Sequence, residues 1–326
     1  PRRRLPPRPR AGLPMIDDVR GHAAYLAYRA GAELARVVPP AVGEVVADGL
    51  ARAMRAAQPV RRAQVARTLG RVTGGALRGA ALDRAVDEVF ANYARYWHEF
   101  FRLPTMTRQE ILGSLDLEGG EHLDAARAAG RGAILALPHL GNWDLAGANL
   151  AARGYPMVAV AERVEPPALF EWFLAARRRI GIEVIPLGPE SGAEVTRALA
   201  ANKIVCLVAD RDIAGGGIPV EFFGETTTVP GGPALLALRT GAALLPGSVY
   251  IAGSGYVGRI GAPIPAVRQG RLRDDVTRVT EAVVRHLEVA IRERPEQWLL
   301  MQPNWPSDRV GTPGTPGTAG TADGAA

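Results

Sequence analysis

The stretch Leu137-Pro138-His139-Leu140-Gly141-Asn142-Trp143-Asp144 decides how this chain folds and where its chemistry lies. The apolar run Ala133 to Leu137 that feeds it reads as a buried strand, and Leu145 to Ala152 reads as a helix. A histidine delivered at a strand end, with an acid opening the next helix, exposes reactive groups at the carboxyl edge of an α/β sheet. The five-residue spacing fits neither a helical pair nor a strand pair, so it requires a tight turn. Gly141 supplies the backbone freedom for one.

Downstream and upstream of this turn, short apolar runs alternate with helical segments. Ala133 to Leu137, Met157 to Val160, Val184 to Leu187, Ile204 to Ala209, Leu244 to Tyr250 and Tyr256 to Ile264 read as strands. Helices are expected near 121–129, 143–153, 166–180, 190–201, 232–240 and 273–293. Such alternation predicts an α/β fold with a mainly parallel central β-sheet flanked by helices. The part before it, about 15–112, is read as helical.

In that N-terminal part, Ile16, Val19, Ala23, Leu26, Ala27, Ala30, Leu34 and Val37 share one helical face, with Arg20, Arg29 and Arg36 elsewhere. Together with Tyr25 and Tyr28 the pattern suits either the membrane interface or packing on the chain's own domain. Further helices are expected over 41–55, 62–69 and 81–101. The last carries Val86, Val89, Phe90, Tyr93, Trp97, Phe100 and Phe101, a stripe for the core or for the wall of an acyl-chain groove. Residues 1–14, basic and proline-rich, and 307–326, rich in Gly, Thr, Pro and Ala, are expected to be disordered flanks of one domain over 15–306.

Composition narrows the function classes. Of 326 residues, 47% are hydrophobic and 22% charged, which excludes a disordered chain. The net charge of +6 would favour any polyanion, but the arginines are scattered apart from residues 2 to 10, so no nucleic-acid surface is assigned. A single cysteine, Cys206, excludes an internal disulfide and a cysteine metal cluster, and it reads as a strand residue. No metal or resident cofactor is expected. The longest uncharged run, Thr240 to Gly258, contains Pro246 and several glycines, so it reads as two strands and a turn rather than a membrane span.

His139 and Asp144 carry the candidate chemistry. A neutral imidazole can take the proton of an attacking hydroxyl, and a carboxylate on its other nitrogen fixes the tautomer. Asn142 or Asp144 could instead simply cap the helix. Glu162 and Arg163 end the strand at 157–160, and Asp210, Arg211 and Asp212 follow the strand at 204–209, so both groups fall on the same sheet edge. The two acids and arginine of Asp210-Arg211-Asp212 could bind the polar part of a substrate or hold the loop that contains Gly215-Gly216-Gly217. Arg177, Arg178 and Arg179 are consecutive. Thr228, Gly231 and Gly232 precede a helix from Pro233 to Arg239, and they form either an ordinary turn or a helix start whose free N–H groups could bind an oxyanion or phosphate.

With these residues in view, the chain resembles the bacterial lysophospholipid-acyltransferase superfamily. The branch is the one containing lipid A lauroyl and myristoyl acyltransferases and phosphatidylinositol mannoside acyltransferases. The resemblance rests on His139 to Asp144 (an HxxxxD motif), Ala161-Glu162-Arg163, Asp210-Arg211-Asp212 with Val220 to Gly224, Gly232-Pro233, Arg239 to Ala242, Pro295 to Trp298 and Gln302-Pro303. Asn92 to Trp97 and Phe101 to Pro104 look like the actinobacterial mannoside branch.

The resemblance implies direct acyl transfer from acyl-CoA, typically palmitoyl, to a mannose hydroxyl of phosphatidylinositol mannoside. It implies His139 as base, Asp144 as its partner and Glu221 as a residue that helps orient the imidazole. Glu162, Arg163, Arg177, Asp210, Arg211 and Asp212 are then the substrate-binding candidates, with Arg177 or Arg178 as the expected ionic partner of Glu162. The expected location is the cytoplasmic face of the plasma membrane, peripherally bound. The alternatives are another glycolipid or lysophospholipid acceptor, or a non-catalytic basic lipid-binding protein.

Overall fold

The computed structural model describes residues 14–38, 40–213 and 215–309. Its front end comprises helices α1 (Pro14–Val37), α2 (Pro40–Ala57), α3 (Pro59–Val72), α4 (Gly79–Arg102) and α5 (Arg108–Gly113). Alternation follows, through β1 (Leu115–Glu118), α6 (Gly120–Ala128), β2 (Ala133–Leu137), α7 (Trp143–Ala152), β3 (Met157–Ala161), α8 (Pro167–Arg179), β4 (Ile182–Pro186), α9 (Ser191–Ala200) and β5 (Ile204–Val208). A hairpin of β6 (Ile218–Phe222) and β7 (Glu225–Val229) precedes α10 (Gly232–Thr240), β8 (Ala243–Ala252), β9 (Gly255–Ile260), α11 (Leu272–Glu293) and α12 (Pro306–Arg309).

Among the described residues, seven strands form one sheet in the order β1-β9-β8-β2-β5-β3-β4. Every neighbouring pair is parallel except β8 with β9. The mainly parallel α/β sheet read from the sequence is therefore present. All five residues of β2 are buried, because helices cover both faces of a central parallel strand. Alternate residues divide the core into two layers. Ile134, Ala136, Val158 and Val205 pack with α9, α10 and α11, whereas Leu135, Leu137, Met157 and Ile182 pack with α7 and α8.

Three elements went beyond the sequence reading. Strand β1 has four residues, two of them acidic, and lies at the sheet edge, so neither length nor apolarity announces it. The hairpin is a separate two-stranded ribbon whose second strand, Glu225-Thr226-Thr227-Thr228-Val229, is mostly polar. Residues 307–309, expected in the tail, instead belong to α12. There the buried Asp308 carboxylate accepts the backbone N–H groups of Asn304 and Trp305, and Arg71 pairs with it. The expected extension up to residue 13 and the tail from residue 310 lie outside the described residues.

Helix α4 anchors the front end. Its stripe buries Val86, Val89, Phe90, Tyr96 and Phe100. Tyr28 of α1 packs inward. Its ring lies 5.0 Å from that of Trp97 and 5.5 Å from that of Phe173, within an aromatic cluster that also includes Phe100, Phe101 and Trp172. Leu34 and Val37 of α1 and Val42, Val45 and Val46 of α2 remain more than half exposed. Among the described residues, no helix is long and apolar enough to cross a membrane.

Candidate active site

The parallel register of β2 and β5 assembles the site. Leu137 stands opposite Val208, so two residues further on His139 and Asp210 are brought face to face at the carboxyl edge. His139 Nδ1 is 2.7 Å from Asp210 Oδ1, and the His139 backbone N–H donates to Asp210 Oδ2 at 2.9 Å. Trp298 Nε1 donates to the same Oδ2 at 2.6 Å. Asp210 is fully buried, and burial raises its pKa. The His139 ring and the N–H groups of His139 and Trp298 outweigh that and hold it below the ordinary carboxylate value. A carboxylate at Nδ1 selects the tautomer with the proton there, which leaves the Nε2 lone pair to accept one.

The turn that presents His139 is clamped from behind. The Gly141 N–H donates to Gln297 carbonyl oxygen, and the Leu299 N–H to His139 carbonyl oxygen at 2.8 Å. Gly141 has φ +62°, and a Cβ there would fall 2.4 Å from Val249 carbonyl oxygen, so only glycine fits. Trp143 stands edge-on to the imidazole, ring centroids 5.2 Å apart, and stacks on Tyr96 at 4.4 Å.

The expected pairing of Asp144 with His139 is not formed. Asp144 lies in the first turn of α7, whose cap is Asn142, with its Oδ1 accepting the Leu145 N–H. Asp144 is turned away from the imidazole onto Arg177, whose Nε and guanidinium NH2 donate to its two oxygens at 2.7 and 3.0 Å, and onto Tyr96, whose hydroxyl donates at 2.8 Å. Arg177 is thus not the partner of Glu162. Burial would discharge it, but the Asp144 carboxylate more than compensates and raises its pKa. Burial, with Asp144 alongside, pushes the Tyr96 phenol well above its usual range. Arg178 and Arg179 are exposed.

Other expected residues divide. Glu162 lines the cavity in front of His139, its pKa raised by partial burial against the lowering effect of Arg211 and His139. Arg211 also lines that cavity. Asp212 holds the glycine loop: its oxygens accept the N–H groups of Gly215 and Gly217 at 3.0 and 2.8 Å, and the Thr228 hydroxyl at 3.1 Å. Arg163 is exposed and lies over the Phe170 ring instead of facing the cavity. Glu221 is exposed on β6, level with Thr226, and Nδ1 of His139 is already taken by Asp210, so Glu221 does not orient the imidazole. Trp298 and Tyr96 complete the site without having been singled out. Trp298 falls in the quoted run Pro295 to Trp298, but no local pattern reveals that its indole reaches Asp210.

A cavity of about 510 Å3 opens around His139 and passes over both faces of the sheet edge. One arm lies against Ala159, Ala161, Cys206 and Val208, under Gly147 of α7 and Phe170 and Phe173 of α8. The other lies against Val160 and Leu207, under Val195 and Thr196 of α9 and Leu235, Leu236 and Arg239 of α10. Period-two alternation along β3 and β5 separates the two arms, and His139 sits where they meet. Gly231 and Gly232, at the start of α10, line the same space. Among the described residues, no cluster of three or more His, Cys, Asp or Glu side chains is arranged to hold a metal.

Residues 19–307 match the model of the bacterial lipid A biosynthesis acyltransferase family. The phosphatidylinositol mannoside acyltransferase of Mycolicibacterium smegmatis is 40% identical over 292 residues, 88% of this chain and 93% of that protein. The protein of the same name from Mycobacterium tuberculosis is 40% identical over 253 residues, 75% and 77% of the respective chains. With a family match across nearly the whole helical front end and sheet, the chain belongs to the bacterial lipid A biosynthesis acyltransferase family.

Proposed function

We propose that the chain transfers a fatty acyl group, palmitoyl as the preferred one, from acyl-CoA directly to a mannose hydroxyl of a phosphatidylinositol mannoside. One observation carries the reading: the buried Asp210 carboxylate, 2.7 Å from Nδ1, dedicates His139 Nε2 to accepting a proton beside a cavity with apolar arms. The acceptor hydroxyl oxygen attacks the thioester carbonyl as Nε2 takes its proton. The tetrahedral intermediate then expels the coenzyme A sulfur, which recovers that proton from the imidazolium. The N–H groups at the start of α10 are the candidates to receive the oxyanion. Glu162 and Arg211 hold the polar part of the acceptor.

The mannoside acceptor is supported by the names of the two relatives, each 40% identical to this chain. Labelled palmitoyl-CoA incubated with the purified protein and a panel of glycolipids, followed by mass spectrometry, tests it. A mannose ester is the expected product, and acylation confined to a glucosamine lipid or a lysophospholipid would replace the acceptor.

The exposed valines and leucines of α1 and α2 support peripheral attachment to the membrane, at the cytoplasmic face where acyl-CoA is supplied. Replacing Leu34, Val37, Val42, Val45 and Val46 together with Ser is expected to abolish liposome co-sedimentation. Undiminished binding would show that this face of α1 and α2 is not the attachment.

A further inference from the structure

The α7/α8 arm has a defined end. On β3 and β5 its lining runs inward from Ala161 and Val208 at the sheet edge to Ala159 and Cys206. Its innermost lining residue on the sheet is Ile182, which is level with Met157. Ala161 lies four positions beyond Met157, so the arm reaches about 13 Å below the carboxyl edge. At that depth Gly147, in the middle of α7, faces Ile182. A Cβ on Gly147 would lie 2.8 Å from Ile182 Cδ1, too close without movement of that methyl. Glycine inside a helix is unfavourable relative to alanine, so this position gives up helix stability to leave the space open.

We propose that Gly147 and Ile182 form the stop of the acyl arm and set the length of the chain transferred, an inference that rests on the acyl-transfer reading above. The Cδ1 methyl of Ile182 is the movable part of the stop. A side chain on Gly147 drives it into the arm and shortens the space, whereas its loss lengthens the space by one methyl group.

The test is competition among equimolar decanoyl- to stearoyl-CoA donors, with products resolved by mass spectrometry, in the full chain and two variants. Gly147→Ala improves helix propensity and removes room, so it is expected to favour shorter chains. Ile182→Val removes only Cδ1 and is expected to favour longer ones. Each methylene gained or lost in an apolar site changes the preference between neighbouring donors by about fourfold. Opposite shifts in the two variants, cancelling in the double variant, support the stop. Active variants with an unchanged product profile, or with shifts in the same direction, overturn it. Absence of transfer from every donor in the unaltered protein would instead overturn the acyl-transfer reading.

Discussion

His139 Nδ1 and Asp210 Oδ1 are 2.7 Å apart although the two residues are separated by 71 positions in the chain, and the same carboxylate accepts the His139 backbone N–H. One acid thus fixes the position and the tautomer of the imidazole together. Replacing Asp210 with Asn keeps the shape but offers an amide N–H or a neutral oxygen to Nδ1, so the imidazole loses its enforced tautomer. Transfer is expected to fall by up to about ten-thousand-fold. His139→Ala should lose about a hundred- to ten-thousand-fold while retaining its thermal midpoint. Full turnover in His139→Ala would remove His139 as the base, and full turnover in Asp210→Asn would remove Asp210 as the acid that orients it.

Trp298→Phe isolates the third donor to Asp210. It keeps an aromatic ring against Phe222 and Phe223 but deletes the Nε1–H donor, whose nitrogen stands 2.6 Å from Oδ2. A hydrogen bond to a charged group contributes about 1.5–3 kcal/mol, and its loss here raises the Asp210 pKa. The acidic limb of the pH–rate profile should therefore move upward in Trp298→Phe, with KM for the donor little changed. An unmoved limb would show that the indole does not support the carboxylate.

The buried pair of Asp144 and Arg177 makes a different prediction. Removing either partner leaves the other buried and uncompensated, which is expected to cost about 3–5 kcal/mol of stability. Asp144→Asn combined with Arg177→Met should cost less than the sum of the two, as measured by a double-mutant cycle in urea. Additive losses would mean that the two side chains do not stabilise each other.

Glu162 couples function to pH. Its folded-state pKa is raised, first by burial, so the folded protein holds that proton more tightly than the unfolded chain does. The contribution to stability is complete below the unfolded pKa and is lost as pH rises through the folded one. Glu162→Gln removes this loss. Denaturation is expected to show the variant gaining on the unaltered protein at neutral pH and not at acidic pH, while acceptor KM rises. An equal stability difference at both pH values would contradict the raised pKa.

Read alone, the sequence determined the alternation of strands and helices, the mainly parallel sheet and the delivery of His139, Glu162 and Asp210 to one edge. Those conclusions follow from local periodicity and from the order of apolar runs, which a chain carries in adjacent residues. Only the tertiary structure decided which carboxylate meets the imidazole. The HxxxxD spacing pointed to Asp144, five residues away, but α7 turns that residue into the layer under α4 and α8, where Arg177 and Tyr96 hold it. Asp210 takes the position instead because β2 and β5 are aligned Leu137 to Val208. Such a register depends on the packing of both sheet faces at once, and no neighbouring residues along the chain encode it.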